Sequence, residues 1–276
     1  DKVGVKGKGE SVWLTWFFSH TAHRFALLLH SRDLDAEIYE KAATELGRNA
    51  NSTWGGQWFL RGWYDGGEPL GDKAQPCCQI DSIAQSFASL CPDADKTRVN
   101  EALTNAVEKL FEKDTNIIRL FAPPFENAEP SPGYIESYGP GFRENSGQYT
   151  HGAVWLAMAL LLENRPDEAF RLIEALLPEN RDLVNYEAEP YVLSADVSGN
   201  PDCLGKAGWS WYTGSAGWFF RTVTENLLGI KLKNGELSFE PKLPSCWSDV
   251  QVTLRDKNGK ERNFILSSTG AVFCED

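Results

Sequence analysis

The stretch GFRENSGQYTHGAVWLAMALLLENRPDEAFRLIEALL, residues 141–177, decides the fold. It opens polar and turn-forming, with glycines at Gly141 and Gly147. Gly147–Glu163 then reads as a strongly apolar helix, the kind that is buried on all sides. Pro166 sits where a helix tolerates proline, in its first turn. Pro166–Leu177 sets Ala169, Leu172, Ile173 and Leu176 among charges at helical spacing, so it reads as amphipathic. A buried helix followed closely by an amphipathic one is a helical hairpin with an inner and an outer member.

Working outward, the pairing recurs. Ser11 has the chemistry of an N-cap for a helix over Val12–Ser31, and Asp33–Gly47 reads as its partner, ending on glycine. Ile80–Leu90 pairs with Asp95–Leu110, whose Val99, Leu103, Val107 and Leu110 keep the helical period. Gly214–Leu228 is a further helix. Residues 1–10 are a Gly- and Lys-rich loop, and residues 49–71 are turn-rich around QWFLRGWYDGG. Residues 121–145 hold five prolines, so they form a long loop, and 178–211 is irregular too. After Gly229 the apolar period falls from 3.6 to 2. IKLKNGELSFEP reads as a hairpin turning at Asn234-Gly235, and VQVTLRD, ERNFILSS and AVFC follow as strands. The expected fold is mainly α: part of an (α/α)6 barrel in residues 1–228, then a small β-strand region in residues 229–276. A ring of six hairpins needs more helices than these, so a preceding portion of the same protein is expected.

Among 276 residues, 42% are hydrophobic and 24% charged, which describes a packed globular chain. A net charge of −12 repels nucleic acid and anionic membranes, and excludes both as partners. Ten tryptophans fit either a core or a surface that stacks on sugar rings. Six cysteines show no CxxC pair, and free thiols in a reducing cytoplasm are the simpler reading. No apolar run is long enough to span a bilayer. His20, His23 and His30 share a helix with Arg24; the i, i+3 pair could bind a metal, but no third ligand is evident, so no metal is expected.

Four constellations lie in or beside the loops. They are Arg61, Tyr64 and Asp65; Asp81, Ser82 and Gln85; Arg143, Glu144, Asn145, Gln148 and His151; and Trp209, Trp211, Thr213, Gly214 and Ser215. In the third, a loop runs into a helix start carrying His151, where free N–H groups and the dipole attract an anion. In the fourth, Thr213 and Gly214 repeat the device, and the two could cradle one phosphate. Ordinary capping by Ser and Thr, and a buried hydrogen-bonded His, are the competing readings. Paired carboxylates for glycoside chemistry would come from Glu144, Glu187, Glu189, Asp65 or Asp81, and spacing does not say which converge. Glu189, before Pro190-Tyr191, suits a sugar hydroxyl or a cap.

RGWYDGGEPLG, QIDSIAQSF, PGYIESYGPGFRENSGQYTHGAVW, EAEPYVLSADV and GWSWYTGSAGW, in this order, resemble the C-terminal half of the family 94 glycoside hydrolases. The likeness is to the phosphorylase region of cyclic β-1,2-glucan synthases and to 1,2-β-oligoglucan phosphorylases, and it covers most of the chain. It implies an (α/α)6 barrel, and inverting phosphorolysis of a β-glucoside to α-glucose 1-phosphate. It implies that His151, Thr213 and Gly214 contact phosphate and that Glu144 contacts the acceptor-side sugar. Arg61, Asp65, Arg143, Gln148, Glu189 and Trp211 are the other candidate sugar contacts. Partners are then a β-glucan oligosaccharide and phosphate, the latter a substrate, with no metal or organic cofactor; a homodimer is also implied. The family's general acid is an Asp in a GDWNDGM motif just before the segment matched by DKVGVKGKGES. The resemblance therefore places the general acid a few residues upstream of Asp1, and the chain is expected to be inactive alone. Ala195 stands where β-1,4-type members carry a glutamine, which favours β-1,2 substrates. A non-catalytic carbohydrate-binding fragment, or an inverting hydrolase on the same fold, are the alternatives.

Overall fold

A computed structural model describes residues 2–211, 214–233 and 235–274 of the chain. Its helices are α1 Val12–His30, α2 Glu37–Asn51, α3 Ser82–Ala88, α4 Lys96–Leu110, α5 Thr150–Leu162, α6 Pro166–Leu176, α7 Leu183–Tyr186 and α8 Ser215–Arg221. The architecture is mainly helical. Packing pairs α1 with α2, α3 with α4, and α5 with α6; α1, α3, α5 and α8 then touch in succession. This makes an arc with α1, α3, α5 and α8 inside and α2, α4 and α6 outside.

Helix α5 is the keystone. Apolar on every side, it buries Val154, Leu156, Leu160 and Leu161 completely, the fate expected of such a sequence. Gly152 lets it close on its neighbours: a Cβ there would stand 2.8 Å from Leu120 Cδ1 and 3.3 Å from Ser82 Oγ. The caps follow the sequence. Ser11 Oγ accepts from the Leu14 amide, and one Asp95 carboxylate oxygen accepts from the amides of Thr97 and Arg98. Trp16, Phe59, Leu103 and Leu110 complete the core beside α5.

Several boundaries differ from the sequence reading, for tertiary reasons. The second helix is Glu37–Asn51, not Asp33–Gly47. Asp33 takes a left-handed backbone (φ 55°) and the Leu34 amide returns to Leu29 O, so these residues end α1. Gly47 does not stop α2; a Cβ there would meet Asp93 Cβ at 3.0 Å and Ser19 Oγ at 3.3 Å. Ile80–Asp81 pairs as a strand with Phe121–Ala122, so the helix read over Ile80–Leu90 begins at Ser82, capped by Asp81. Gln148–Tyr149 likewise pairs with Asp196–Val197, and α5 begins at Thr150. The proline-rich loop holds one 3-10 turn, Tyr134–Ser137.

Beyond α8 the chain winds through a π-helical segment, Thr222–Leu227, into two antiparallel sheets. Ile230–Lys233 pairs with Glu236–Phe239, and Asn234 of the connecting turn lies outside the described residues. Asp249–Arg255, Glu261–Ser267 and Gly270–Cys274 form the second sheet. Phe239 packs on Phe264 at 4.7 Å between ring centroids, joining the two. Lys242 Nζ donates to Leu161 O at 2.5 Å at the end of α5, so the β-region is tied to the helical arc.

The arc leaves two apolar surfaces open. Leu14, Phe18, Leu27 and Leu28 of α1 are more than half exposed. A cavity of about 770 Å³ on the inner side is lined by Trp13, Phe17, Phe87, Trp155 and Trp218 among others. Among the described residues, no helix is long and apolar enough to cross a membrane.

Candidate functional site

Three loops meet in a small sheet. Gln148–Tyr149, leading into α5, pairs with Asp196–Val197, which pairs with Ala207–Gly208 on the way to α8. A Cβ on Gly208 would lie 2.8 Å from both Asp196 carboxylate oxygens, so any side chain there would displace that carboxylate. This sheet brings the third and fourth sequence constellations together.

His151 is the second residue of α5, nearer the helix start than the sequence reading had it. Its ring stacks on Tyr149 and tilts against Trp155, 5.4 Å between centroids. Burial holds the imidazole below its ordinary pKa, so the neutral form dominates near pH 7. A Cβ on Gly214 would stand 3.1 Å from His151 Nε2. The α5 start and the turn into α8 therefore meet at His151 and Gly214. Helix geometry leaves the amides of His151 and Gly152 without an acceptor in α5, whereas the Thr150 amide bonds Ala195 O at 3.0 Å. Thr213 lies outside the described residues, and so does Asp1, the residue before which the general acid is expected.

Beside this corner sits a charged cluster. Arg143 Nη1 lies 3.2 Å from Asp196 Oδ1, and Arg143 Nε lies 3.6 Å from Glu144 Oε2. The guanidinium lies over Trp209 at 5.2 Å and Tyr138 at 5.6 Å. Arg143 adopts a left-handed φ of 45° to reach this position. Burial raises the Asp196 pKa; Arg143 opposes the rise and the like charge of Glu144 adds to it. Arg143 Nε and Glu144 Oε2 are buried without a hydrogen-bond partner in the protein. They face each other as the 3.6 Å ion pair, too long for a hydrogen bond. Sequence reasoning missed Asp196; its signal was a lone carboxylate in the apolar run YVLSADV.

The other candidates are placed as follows. Gln148 is buried, its side-chain oxygen accepting from the Ile118 amide and from Arg181 Nη2. Arg181 also donates to the Asn116 and Ala175 carbonyl oxygens, and burial lowers its pKa to about 10. Arg61 is turned inward, Nε 3.7 Å from the buried Asp81 carboxylate and Nη1 3.4 Å from Cys78 Sγ. Asp65 accepts from the amides of Lys6, Lys8 and Gly9 and so folds the N-terminal loop. Those bonds, led by that from Lys6, lower its pKa. Glu189 Oε1 accepts from Trp211 Nε1 at 2.6 Å. Cys77, Cys78, Cys91, Cys203 and Cys246 are free thiols.

The loops of the helical arc thus gather His151, Gly214, Arg143, Glu144 and Asp196 at one end of α5. Residues 2–229 match the family profile described as "Glycosyl hydrolase 94 superfamily, catalytic domain", and the chain belongs to that family. It is 38% identical to the cyclic beta-(1,2)-glucan synthase NdvB of Rhizobium meliloti (strain 1021), over 97% of this chain and 10% of that protein. It is 28% identical to the solabiose phosphorylase of Paenibacillus borealis, over 94% of this chain and 36% of the relative. The N,N'-diacetylchitobiose phosphorylase of Vibrio proteolyticus is also 28% identical, over 90% of this chain and 32% of its own length. The chain thus spans about a tenth to a third of these relatives. Among solved structures, an uncharacterized conserved protein from Thermus thermophilus matches 78% of this chain and 45% of its own, with a TM-score of 0.50 and 14% identity; this is a likeness of fold.

Proposed function

We propose that this chain forms the phosphate- and acceptor-binding part of an inverting glycoside phosphorylase acting on β-1,2-linked glucan. A phosphate oxygen attacks the anomeric carbon as the glycosidic C–O bond breaks, and a general acid protonates the departing oxygen, giving α-glucose 1-phosphate. The meeting of His151 with Gly214 at the start of α5 carries the reading: a neutral imidazole and helix-start amides offer donors to an anion. Glu144, Arg143 and Asp196 take the acceptor-side sugar. The 38% identity to a cyclic β-1,2-glucan synthase supports the linkage.

No residue of this chain is assigned as general acid. The relatives are longer than this chain, so a general acid and the further helices of an (α/α)6 barrel are assigned to parts of the full protein outside these residues. The exposed apolar face of α1 and the open cavity beside it favour that reading. Taken alone, the chain then binds its ligands without turning them over. In the test, the full protein is incubated with β-1,2-glucooligosaccharides with and without phosphate. Glucose 1-phosphate should form only with phosphate; free glucose released at equal rate without it sinks the proposal.

A further inference from the structure

Two neighbouring aromatic side chains are largely exposed on this chain. Tyr191 is 75% exposed and Trp211 69% exposed. Neither is loose. The Trp211 indole N–H is fixed on Glu189 Oε1 at 2.6 Å, and the Tyr191 ring meets Trp211 edge-on, 6.3 Å between centroids and 68° between planes. A turn closed by the Val192 amide on Glu189 O, 3.1 Å, presents Tyr191. Trp209 and Trp211 both hold left-handed backbones, φ 56° and 65°. Bulky residues accept that conformation only where the surroundings impose it.

Their position in the site gives them a use. Along one short segment, Trp209 covers Arg143 of the acceptor-side cluster. Trp211 follows, facing Glu189 and Tyr191, and Gly214 then reaches His151. The aromatic pair is therefore continuous along the chain with both the sugar-binding cluster and the anion corner. Exposed, oriented aromatic faces beside a carboxylate suit the C–H faces and hydroxyls of a pyranose ring.

We infer that Tyr191 and Trp211 form a stacking subsite for a sugar ring remote from the bond that is broken, so that the enzyme discriminates glucan chains by length. This rests on the phosphorylase reading above. In the full protein, kcat/KM for phosphorolysis is compared between a β-1,2-linked pentasaccharide and the disaccharide. Tyr191→Ala and Trp211→Ala should each lower the pentasaccharide-to-disaccharide ratio about five- to tenfold, the scale of one lost aromatic contact. Tyr191→Phe, which keeps the ring, should preserve the ratio. An unchanged ratio, or equal loss on both substrates as from a loop that merely folds badly, overturns the inference. Calorimetric binding of the two oligosaccharides needs no turnover and carries the same comparison. A wild-type protein that turns over neither sugar with phosphate, yet shows the ratio in binding, would refute the phosphorylase reading and keep the subsite.

Discussion

Gly214→Ala tests the proposed phosphate corner. Gly214 has φ −83° and ψ −5°, a conformation open to any residue, so alanine adds no backbone strain. The new methyl would stand 3.1 Å from His151 Nε2 and 3.5 Å from Cε1. The imidazole must then withdraw by a few tenths of an ångström, and the methyl occupies the gap where the anion is to sit. Losing one hydrogen bond to a charged group costs about 1.5–3 kcal/mol, roughly 10- to 150-fold in phosphate affinity. The fold loses less: alanine caps a helix worse than glycine by about 1 kcal/mol, which lowers Tm by about 2–4 °C for a domain of this size. Gly217→Ala in the same helix is the control, since nothing lies within 4 Å of its Cβ position. It should stabilise by about 0.5–1 kcal/mol and leave the phosphate KM alone. The assay is phosphorolysis against phosphate concentration in the full protein, alongside thermal melts. An unchanged phosphate KM in Gly214→Ala, or an equal rise in Gly217→Ala, refutes the reasoning.

Three further outcomes follow from other parts of the molecule. Leu160 is fully buried, so Leu160→Ala should cost about 2–5 kcal/mol, read from the urea midpoint. Arg143→Lys keeps the charge but loses the flat fork over Trp209 and Tyr138; sugar-acceptor affinity in the synthetic direction should fall about tenfold, measured by acceptor KM, with a smaller effect on phosphate. Burial lowers the His151 pKa, so the folded state binds fewer protons there than the unfolded chain. Its contribution to stability is present above the ordinary value of about 6.5 and is lost as pH falls through that value towards the folded pKa. In histidine-labelled protein, NMR titration should put the His151 midpoint below that value and move it up when phosphate is added.

The helices were legible where periodicity was local. Asp95 followed by Val99, Leu103 and Leu110 gave α4 its start and its face, and the all-apolar run after Thr150 announced a buried α5. The errors fall where a distant partner decides. Gly47 resembles a terminator, yet it is the place where α2 touches Asp93 and Ser19. Ile80–Asp81 and Gln148–Tyr149 belong to helices by pattern, and to strands because their bonding partners lie far along the chain. At the candidate site, the motifs single out His151 and Gly214, and the fold brings the two together. Asp196, between Arg143 and Gly208, could not be singled out, because its meaning comes from two loops that only the folded chain brings beside it. Arg61 and Asp81 were read as separate constellations, and they form one inward-facing ion pair.

The three short strands at 148–149, 196–197 and 207–208 have a consequence for how such an enzyme can diversify. The ladder anchors the chain on both sides of residues 198–206 and at the end of the stretch from 178 to 195. The turn bearing Tyr191 lies outside the ladder, and His151 and Gly214 follow shortly after its strands. Substitutions in those outer turns can reshape the surface there while the meeting of His151 with Gly214 keeps its geometry. One reaction could in this way be inherited unchanged by a lineage whose members exchange one glycan for another.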